Sequence, residues 1–307
     1  MIGLVSVLIV AQLGWPAPVQ AQVDAIEVQQ SIDRGLGYLR KEQGGSGGWP
    51  EYGSYSIGLS ALCTLAMLNA GVPDSDPAIV AALSYLRRTR PEHTYATALQ
   101  TLVYCQVGSA EDLPRIRRNV QWLAEAQSST GAWSYGGGVG VGDPSNSQFA
   151  LLALAAAVDR GVEVPREVFE RALRYWIAAQ DPSGGWGYQG IVSPSFSPVN
   201  QDRQTPSLTV AGLGSVYACA DLLGSGKIAA AGLPALQMVD TSGAGGSGLA
   251  PTSKQVEEVQ QRGDGWMRQN YTITPQEWTY YYLYGLERYM SFREAAEGKE
   301  EKEPRWY

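Results

Sequence analysis

One spacing occurs three times in this chain of 307 residues: a glutamine is followed by glycine four residues later and by tryptophan six residues later. The copies begin at Gln43, Gln127 and Gln180. Each copy follows an amphipathic helical pattern and precedes a second, more apolar one. A helix–turn–helix unit of this kind cannot bury its apolar face alone, so it must stack on other units of the same kind. The spacing therefore predicts an array of helix pairs.

The two helices of each pair differ in character. The first carries charged residues along one face, whereas the second is apolar nearly all round and rich in small residues. A helix that is apolar on every side is packed on every side. The chain is therefore predicted to be all-α, an α/α toroid with inner and outer rings of about five helix pairs. The predicted outer helices are 26–43, 77–90, 112–127, 167–180 and 254–270, and the predicted inner helices are 56–70, 94–107, 146–160, 206–223 and 277–292.

The two ends of the chain and one internal segment depart from the helical pattern. Residues 1–21 combine an apolar run with small residues at its end, which predicts a signal peptide and export to the periplasm or cell exterior; the alternative is an N-terminal anchor. The toroid is expected over 22–292, with a Gly/Ser-rich surface insert near 241–248. The charged tail, 293–307, has the character of an approach to a missing sixth repeat.

Too few helix pairs to close a ring would leave an open edge between the first and last pairs. Apolar side chains are expected along that edge, and a partner protein could cover them. The candidates for exposure there are Leu36, Leu39, Leu59 and Tyr284.

Composition excludes several classes of partner. The net charge is −7 and no basic stripe is present, so nucleic acid is not an expected partner. No segment after the first apolar run is long and apolar enough to predict a membrane span in the mature chain. Cys63, Cys105 and Cys219 lie inside apolar helical patterns, which predicts buried free thiols and no disulfide framework.

The glutamine–glycine–tryptophan spacing resembles the QW motif of squalene and oxidosqualene cyclases, and more loosely the repeats of protein prenyltransferase β subunits. The chain also resembles exported bacterial proteins with prenyltransferase/squalene-oxidase-type repeats. In such a motif the glutamine can bond backbone groups at a helix end while the tryptophan covers it. Trp49, Trp133 and Trp186 are therefore expected to be buried between units, a role that implies nothing about catalysis.

Catalysis is a separate question, and here the chain departs from both families. The resemblance to class II cyclases implies a D-x-D-D motif whose middle Asp protonates the substrate. The matching stretch begins with Asp143, but Ser145 stands at the proton-donor position and Asn146 at the position of its partner. A serine hydroxyl is not a strong acid, so this chemistry is not predicted. The prenyltransferase zinc site needs Asp, Cys and His, and His93 is the chain's one histidine, so neither metal nor cofactor is predicted.

A ligand site is expected where the inner helices begin, because parallel inner helices bring their N-termini to one mouth. The binding candidates there are Tyr55, Tyr95, Asn146, Gln148, Tyr188, Gln204, Ser207, Trp278 and Tyr281. A purely structural alternative is that Asn146 and Ser207 cap helices and that Trp278 packs in the core. Asp143 and Asp202 are candidates for a general acid/base pair, although no pattern brings them together.

Two hypotheses about function follow. The first is an exported, non-catalytic toroid that binds a lipid-like or glycan ligand, or a partner protein, at its mouth. The alternative is an enzyme of terpene-cyclase or polysaccharide-lyase type that uses carboxylates the sequence does not assign. Two carboxylates about 5–10 Å apart in a deep, aromatic-lined cavity would favour the enzyme.

Overall fold

The computed structural model describes six stretches of the chain. These are residues 25–51, 57–136, 142–192, 199–225, 251–274 and 277–299. The predicted signal peptide, the Gly/Ser-rich insert, the candidate Tyr55 and the last part of the charged tail lie outside the described residues.

The described residues are mostly helical and contain no β-strand, only an isolated antiparallel bridge between Gly187 and Gln204. The helices are α1 (Ala25–Glu42), α2 (Gly58–Asn69), α3 (Pro77–Arg88), α4 (Thr94–Val107), α5 (Leu113–Ala126), α6 (Pro144–Asp159), α7 (Arg166–Ala178), α8 (Pro206–Ala220), α9 (Ser253–Asn270) and α10 (Thr279–Glu297). The chain divides into two compact units, residues 1–41 and 42–307. In the first unit, α1 is an amphipathic helix with no buried side chain.

In the second unit the even-numbered helices form an inner layer. Helices α2, α4, α6, α8 and α10 each pack on the next one in this order, while α3, α5, α7 and α9 pack on their outer side. The burial follows the sequence pattern: every residue from Ser207 to Ala220 in α8 is buried, whereas α7 buries one face. The prediction of an all-α fold of the α/α-toroid class is confirmed.

The inner helices other than α4 differ from their predicted limits by a few residues, and for α6 and α10 the cause is visible. Helix α6 begins at Pro144, before the predicted start at 146, because the carboxylate of Asp143 caps it and accepts a hydrogen bond from the Asn146 backbone N–H at 2.8 Å. Helix α10 continues to Glu297, so the charged tail predicted from residue 293 begins as helix. Arg293 stabilises this extension by donating to Glu297 at 2.8 Å and to the Tyr289 hydroxyl at 3.2 Å.

By length and composition the stretch Pro206–Gly224, which contains α8, could cross a membrane, so the expectation that no later segment is long and apolar enough is wrong. In the fold, 78% of the apolar window of this stretch is buried. That burial is the behaviour of a core helix.

The three motif glutamines make the same pair of hydrogen bonds. The side-chain amide of Gln127 donates to the carbonyl of Gly131 at 2.9 Å and to that of Val168, in α7, at 3.0 Å. Each amide thereby ties its own turn to the next outer helix. The equivalent acceptors are Gly47 and Ala78 for Gln43, and Gly184 and Val259 for Gln180.

The motif glutamines were expected to bond backbone groups at helix ends. The carbonyls that they bond on the outer helices match this expectation only in part. Ala78 and Val168 lie in the first turns of α3 and α7, whereas Val259 lies inside α9, so for Gln180 the expected acceptor at a helix end is wrong. The amide oxygen of Gln180 accepts from the Arg262 guanidinium at 2.8 and 3.0 Å. That contact orients the amide so that its N–H groups face the two carbonyls.

The motif tryptophans are buried, as predicted. Trp133 and Trp186 are almost fully enclosed, and Trp49 is nearly so. The Trp133 indole N–H donates to the Leu123 carbonyl, in α5, at 2.7 Å, while its backbone N–H donates to the Ser147 hydroxyl, in α6, at 2.9 Å. The residue therefore joins the end of an outer helix to the start of the following inner helix.

After α3, where Arg90 stands at the motif position, a glutamine from the following inner helix bonds the helix end through a different set of carbonyls. Gln100, from inner helix α4, donates to the carbonyls of Leu86 and Thr89 at 2.9 and 3.0 Å. Its own oxygen accepts from Asn119 at 2.9 Å. The carbonyls at the end of α3 are thus bonded, although the sequence motif is absent.

We predict that truncating Trp186 to Ala lowers the free energy of unfolding by about 3–5 kcal/mol, because a fully buried indole leaves a cavity. Denaturant titration followed by circular dichroism measures the change. The matched control is Val80→Ala on the exposed face of α3, which should stay within about 0.5 kcal/mol. Equal stability of the two variants would contradict a packing role for the tryptophan.

A second stability prediction concerns the glycine of the motif. Gly47 has a φ of +92°, and a Cβ there would meet the Ala81 backbone, whereas Gly45 in the same turn has open space. Gly47→Ala should therefore lower the free energy of unfolding by about 2 kcal/mol or more, and Gly45→Ala should change it by less than about 1 kcal/mol. Thermal melting compares the two; a neutral Gly47→Ala would be the contrary result.

Candidate functional site

The starts of three inner helices meet at one end of the second unit. The ring of Tyr95, at the start of α4, lies 5.0 Å from that of Phe149 in α6. Tyr281, at the start of α10, donates its hydroxyl hydrogen to the side-chain oxygen of Gln148 in α6 at 2.7 Å. The N-termini of α4, α6 and α10 therefore lie close together.

The carboxylate of Asp143 is engaged at the start of α6. One of its oxygens accepts hydrogen bonds from the Ser145 hydroxyl at 2.5 Å and from the Asn146 side-chain amide at 3.0 Å, in addition to the backbone N–H that caps the helix. Ser145, at the position of the cyclase acid, is thus a hydrogen-bond donor to Asp143. The side-chain oxygen of Asn146 is buried without a hydrogen-bond partner among the described residues.

Aromatic rings line the inner side of the mouth. Phe149 stacks on Tyr284 at 5.5 Å between ring centroids, nearly parallel, and lies 6.4 Å from Tyr281. Tyr95 also lies 6.2 Å from Tyr135. Tyr284, expected on an exposed edge, is therefore packed against an inner-helix ring, because α10 lies close to α6.

The tyrosines of this cluster stay protonated at neutral pH. Burial raises the pKa of Tyr95 and Tyr281 above the ordinary tyrosine value. For Tyr188 a hydrogen bond with Tyr135, followed by burial and a hydrogen bond with Asp143, raises the pKa in the same direction. Each phenol is therefore available as a hydrogen-bond donor.

A cavity of about 610 Å³ opens between the starts of α8 and α10; we call it the α8–α10 cavity. Five of the predicted residues meet there: Tyr188, Asp202, Gln204, Ser207 and Trp278. The remaining lining residues are Gln189, Arg203, Thr205, Pro206, Leu208, Thr272, Thr274 and Glu277.

The walls of this cavity carry both charges and amides. Arg203 and Glu277 form an exposed ion pair at 3.6 Å. Gln204 donates to the Gln201 carbonyl at 3.1 Å, which fixes its side chain at the cavity wall. Ser207 is not the helix cap, since Thr205 accepts the hydrogen bond from the Leu208 backbone N–H at 3.2 Å.

Trp278 has an unusual backbone conformation. It precedes α10 with φ 57° and ψ 37°, in the left-handed region, and its side chain is 75% exposed. The expectation that it packs in the core is wrong. Such a conformation is strained for a bulky residue, and strain of this kind is concentrated at functional sites.

A second, smaller cavity of about 250 Å³ lies between the starts of α2 and α4. Its walls are mostly apolar and include Leu59, Leu62, Tyr95 and Tyr135. His93 also lines it. Tyr135 of this cavity lies beside Tyr188 of the α8–α10 cavity.

The predicted site residues thus fall into three groups. Tyr188, Asp202, Gln204, Ser207 and Trp278 line one cavity, and Tyr95 lines the other. Asn146 and Gln148 are buried in α6, and Tyr281 packs behind the cavities. Asp143 is a buried helix cap while Asp202 is exposed in the α8–α10 cavity, so the two candidate acid/base residues do not line one cavity.

Sequence reasoning missed the two threonines of the cavity wall. Thr272 and Thr274 lie in the connection between α9 and α10, which has no periodic pattern from which their position could be read.

Within the described residues, no cluster of three or more His, Cys, Asp or Glu side chains is arranged to hold a metal ion. Cys63, Cys105 and Cys219 are buried free thiols, as predicted.

The chain is similar to the squalene–hopene cyclase of Bradyrhizobium diazoefficiens. The two are 28% identical over 209 residues, an alignment that covers 54% of this chain and 31% of the cyclase. The chain thus matches less than a third of the length of that relative. No protein-family model matches the chain, and no solved structure matches it significantly. Together with the all-helical fold, this likeness supports a squalene cyclase-like relationship for part of the chain.

Proposed function

We propose that this chain is an exported, squalene cyclase-like toroid protein that binds a carbohydrate at its mouth and catalyses no reaction on it. The observation that carries the proposal is the α8–α10 cavity, in which the exposed indole of Trp278 faces solvent beside amide, hydroxyl and carboxylate groups. A sugar presents an apolar C–H face for an aromatic ring and hydroxyls around its edge for polar groups. An aromatic surface bordered by a few fixed polar groups suits such a ligand.

The polar walls favour a glycan over a lipid-like ligand in this cavity. Gln189, Gln204 and Thr274 offer donors and acceptors that a hydrocarbon chain would leave unpaired. The apolar run and small residues of 1–21 support export of the protein. A partner protein that covers the exposed Leu59 and Leu62 of α2 stays a separate prediction.

The chemistry at the start of α6 supports a non-catalytic role. The squalene–hopene cyclase relationship is partial, and Ser145 donates a hydrogen bond where an acid of the D-x-D-D type would stand. Asp143 accepts three hydrogen bonds on one oxygen, so this carboxylate is engaged in capping α6 and in holding Ser145 and Asn146.

We predict that Trp278→Ala weakens sugar binding by about tenfold or more, equivalent to about 1.4 kcal/mol, because the ligand loses its stacking surface. Isothermal titration with a panel of glucose, N-acetylglucosamine, galactose and their disaccharides measures the affinity. Val80→Ala, at an exposed position on α3, should bind like the unaltered protein. Absence of binding across the panel, or full binding by Trp278→Ala, would contradict the proposal.

Trp278→Gly separates the indole's role in binding from any role in folding. Glycine adopts a positive φ without strain, so this change should leave the free energy of unfolding within about 1 kcal/mol while removing the stacking surface. The expected result is an unchanged melting curve with weakened binding. A large loss of stability would instead assign the side chain to packing.

The enzymatic alternative is tested with the same protein. Incubation with oligosaccharides, squalene and prenyl diphosphates, followed by mass spectrometry, should yield no product. Cleavage of an oligosaccharide that Asp202→Asn abolishes, or turnover of squalene that Asp143→Asn abolishes, would show that the protein is an enzyme. The two variants distinguish the lyase type from the cyclase type.

A further inference from the structure

We infer that the carbohydrate is a neutral, linear oligosaccharide several sugars long, held along a row of exposed aromatic side chains that extends beyond the α8–α10 cavity. This inference rests on the proposed function and specifies its ligand. We call the row the aromatic track. Its members are Tyr135, Tyr188, Trp278, Tyr280 and Tyr271.

The side chains of the track are more exposed to solvent than the other aromatic side chains of the second unit. The side chains of Tyr135, Tyr188, Tyr271, Trp278 and Tyr280 are 44%, 53%, 52%, 75% and 89% exposed. All other described aromatic residues between 42 and 299 are buried or half-buried. Scattered exposed apolar residues need no explanation, but a concentration of the exposed aromatics described in the second unit at one of its ends marks an interaction site.

The members lie close together in space or in sequence. Tyr135 lies beside Tyr188, and Tyr188 and Trp278 line the same cavity. Tyr271 directly precedes Thr272 of the cavity wall, and Tyr280 lies in the first turn of α10, just after Trp278. The track therefore leads from the α2–α4 side of the mouth, across the α8–α10 cavity, to the connection between α9 and α10.

The composition of the track favours a sugar chain over a lipid surface. Four of its five members are tyrosines, whose hydroxyls can exchange hydrogen bonds with sugar hydroxyls. Charged side chains of Asp202, Arg203 and Glu277 lie among the rings, and the whole chain carries a net charge of −7. A surface that enters a membrane would have to desolvate those charges and would be repelled by anionic lipids.

The charges also select among oligosaccharides. Two carboxylates, Asp202 and Glu277, line the cavity together with one guanidinium, Arg203, which is already paired with Glu277. Asp143 lies near Tyr188 and adds a further carboxylate to this end of the unit. An acidic sugar would meet net negative charge here, so a neutral chain is the expected ligand.

The experiment compares short and long ligands of one chemistry. Isothermal titration uses the dimer and hexamer of β-1,4-glucose, α-1,4-glucose and β-1,4-N-acetylglucosamine, with hexagalacturonate as the acidic comparison. At least one neutral hexamer should bind about tenfold or more tightly than its dimer, since it contacts several rings at once. Hexagalacturonate should bind more weakly than that hexamer.

Variants along the track assign the extra affinity to its members. Tyr280→Ala, at the most exposed position, should weaken binding of the hexamer and leave the dimer unchanged. Trp278→Ala should weaken both ligands, because Trp278 lines the cavity itself. Val80→Ala serves as the control and should change neither, and melting curves establish that each variant is folded.

The outcomes separate the track from the proposed function. Equal affinity for dimer and hexamer would overturn the track and leave the cavity as a sugar site. Absence of binding to every ligand would overturn both, and tighter binding of hexagalacturonate would overturn the neutral assignment. Sedimentation with phosphatidylcholine vesicles that Tyr280→Ala abolishes, without oligosaccharide binding, would assign the aromatic row to a membrane surface instead.

Discussion

The hydrogen bonds of the motif glutamines are the interaction on which the second unit depends. Each amide joins the turn that follows one outer helix to the outer helix after it, as Gln127 joins Gly131 to Val168. A buried amide that bonds two carbonyls is satisfied only in one arrangement of the helices, because leaving either donor unpaired costs about 1–3 kcal/mol. The motif tryptophan then connects the same turn to the inner helix. The inner helices are thereby held parallel, with their starts at one mouth, where the cavities and the aromatic track lie.

Much of the fold could be predicted from sequence because its determinants are local. The helices follow from periodicity and from proline and glycine at their limits, and α4 is observed at its predicted bounds. The differences have two kinds of cause. The cap of α6 is local, an Asp directly before Pro144, and sequence reasoning overlooked that signal. The extension of α10 is non-local, because it depends on Tyr289, whose hydroxyl donates to Asp264 of α9 at 2.6 Å and accepts from Arg293.

Less of the candidate site than of the fold could be predicted from the sequence. Residues just before or at the start of α8 and α10, such as Gln204 and Trp278, line one cavity because parallel helices bring their starts together. Which side of a helix faces the cavity depends on tertiary packing, so Gln148 is buried against Tyr281 instead. Thr272 and Thr274 belong to a connection whose course no periodicity describes.

The amide of Gln100 has a consequence for how such chains diverge. It bonds the final carbonyls of α3 from a different helix and a different sequence position than the motif glutamines, and Asn119 orients it as Arg262 orients Gln180. These carbonyls differ from the ones that the motif glutamines bond, which belong to the glycine of their own turn and to the next outer helix. Through Asn119, which lies in α5, Gln100 nevertheless links the end of α3 to the next outer helix. A repeat without the motif can therefore join successive outer helices through a different set of hydrogen bonds, so relatives can lose the motif while they retain the architecture.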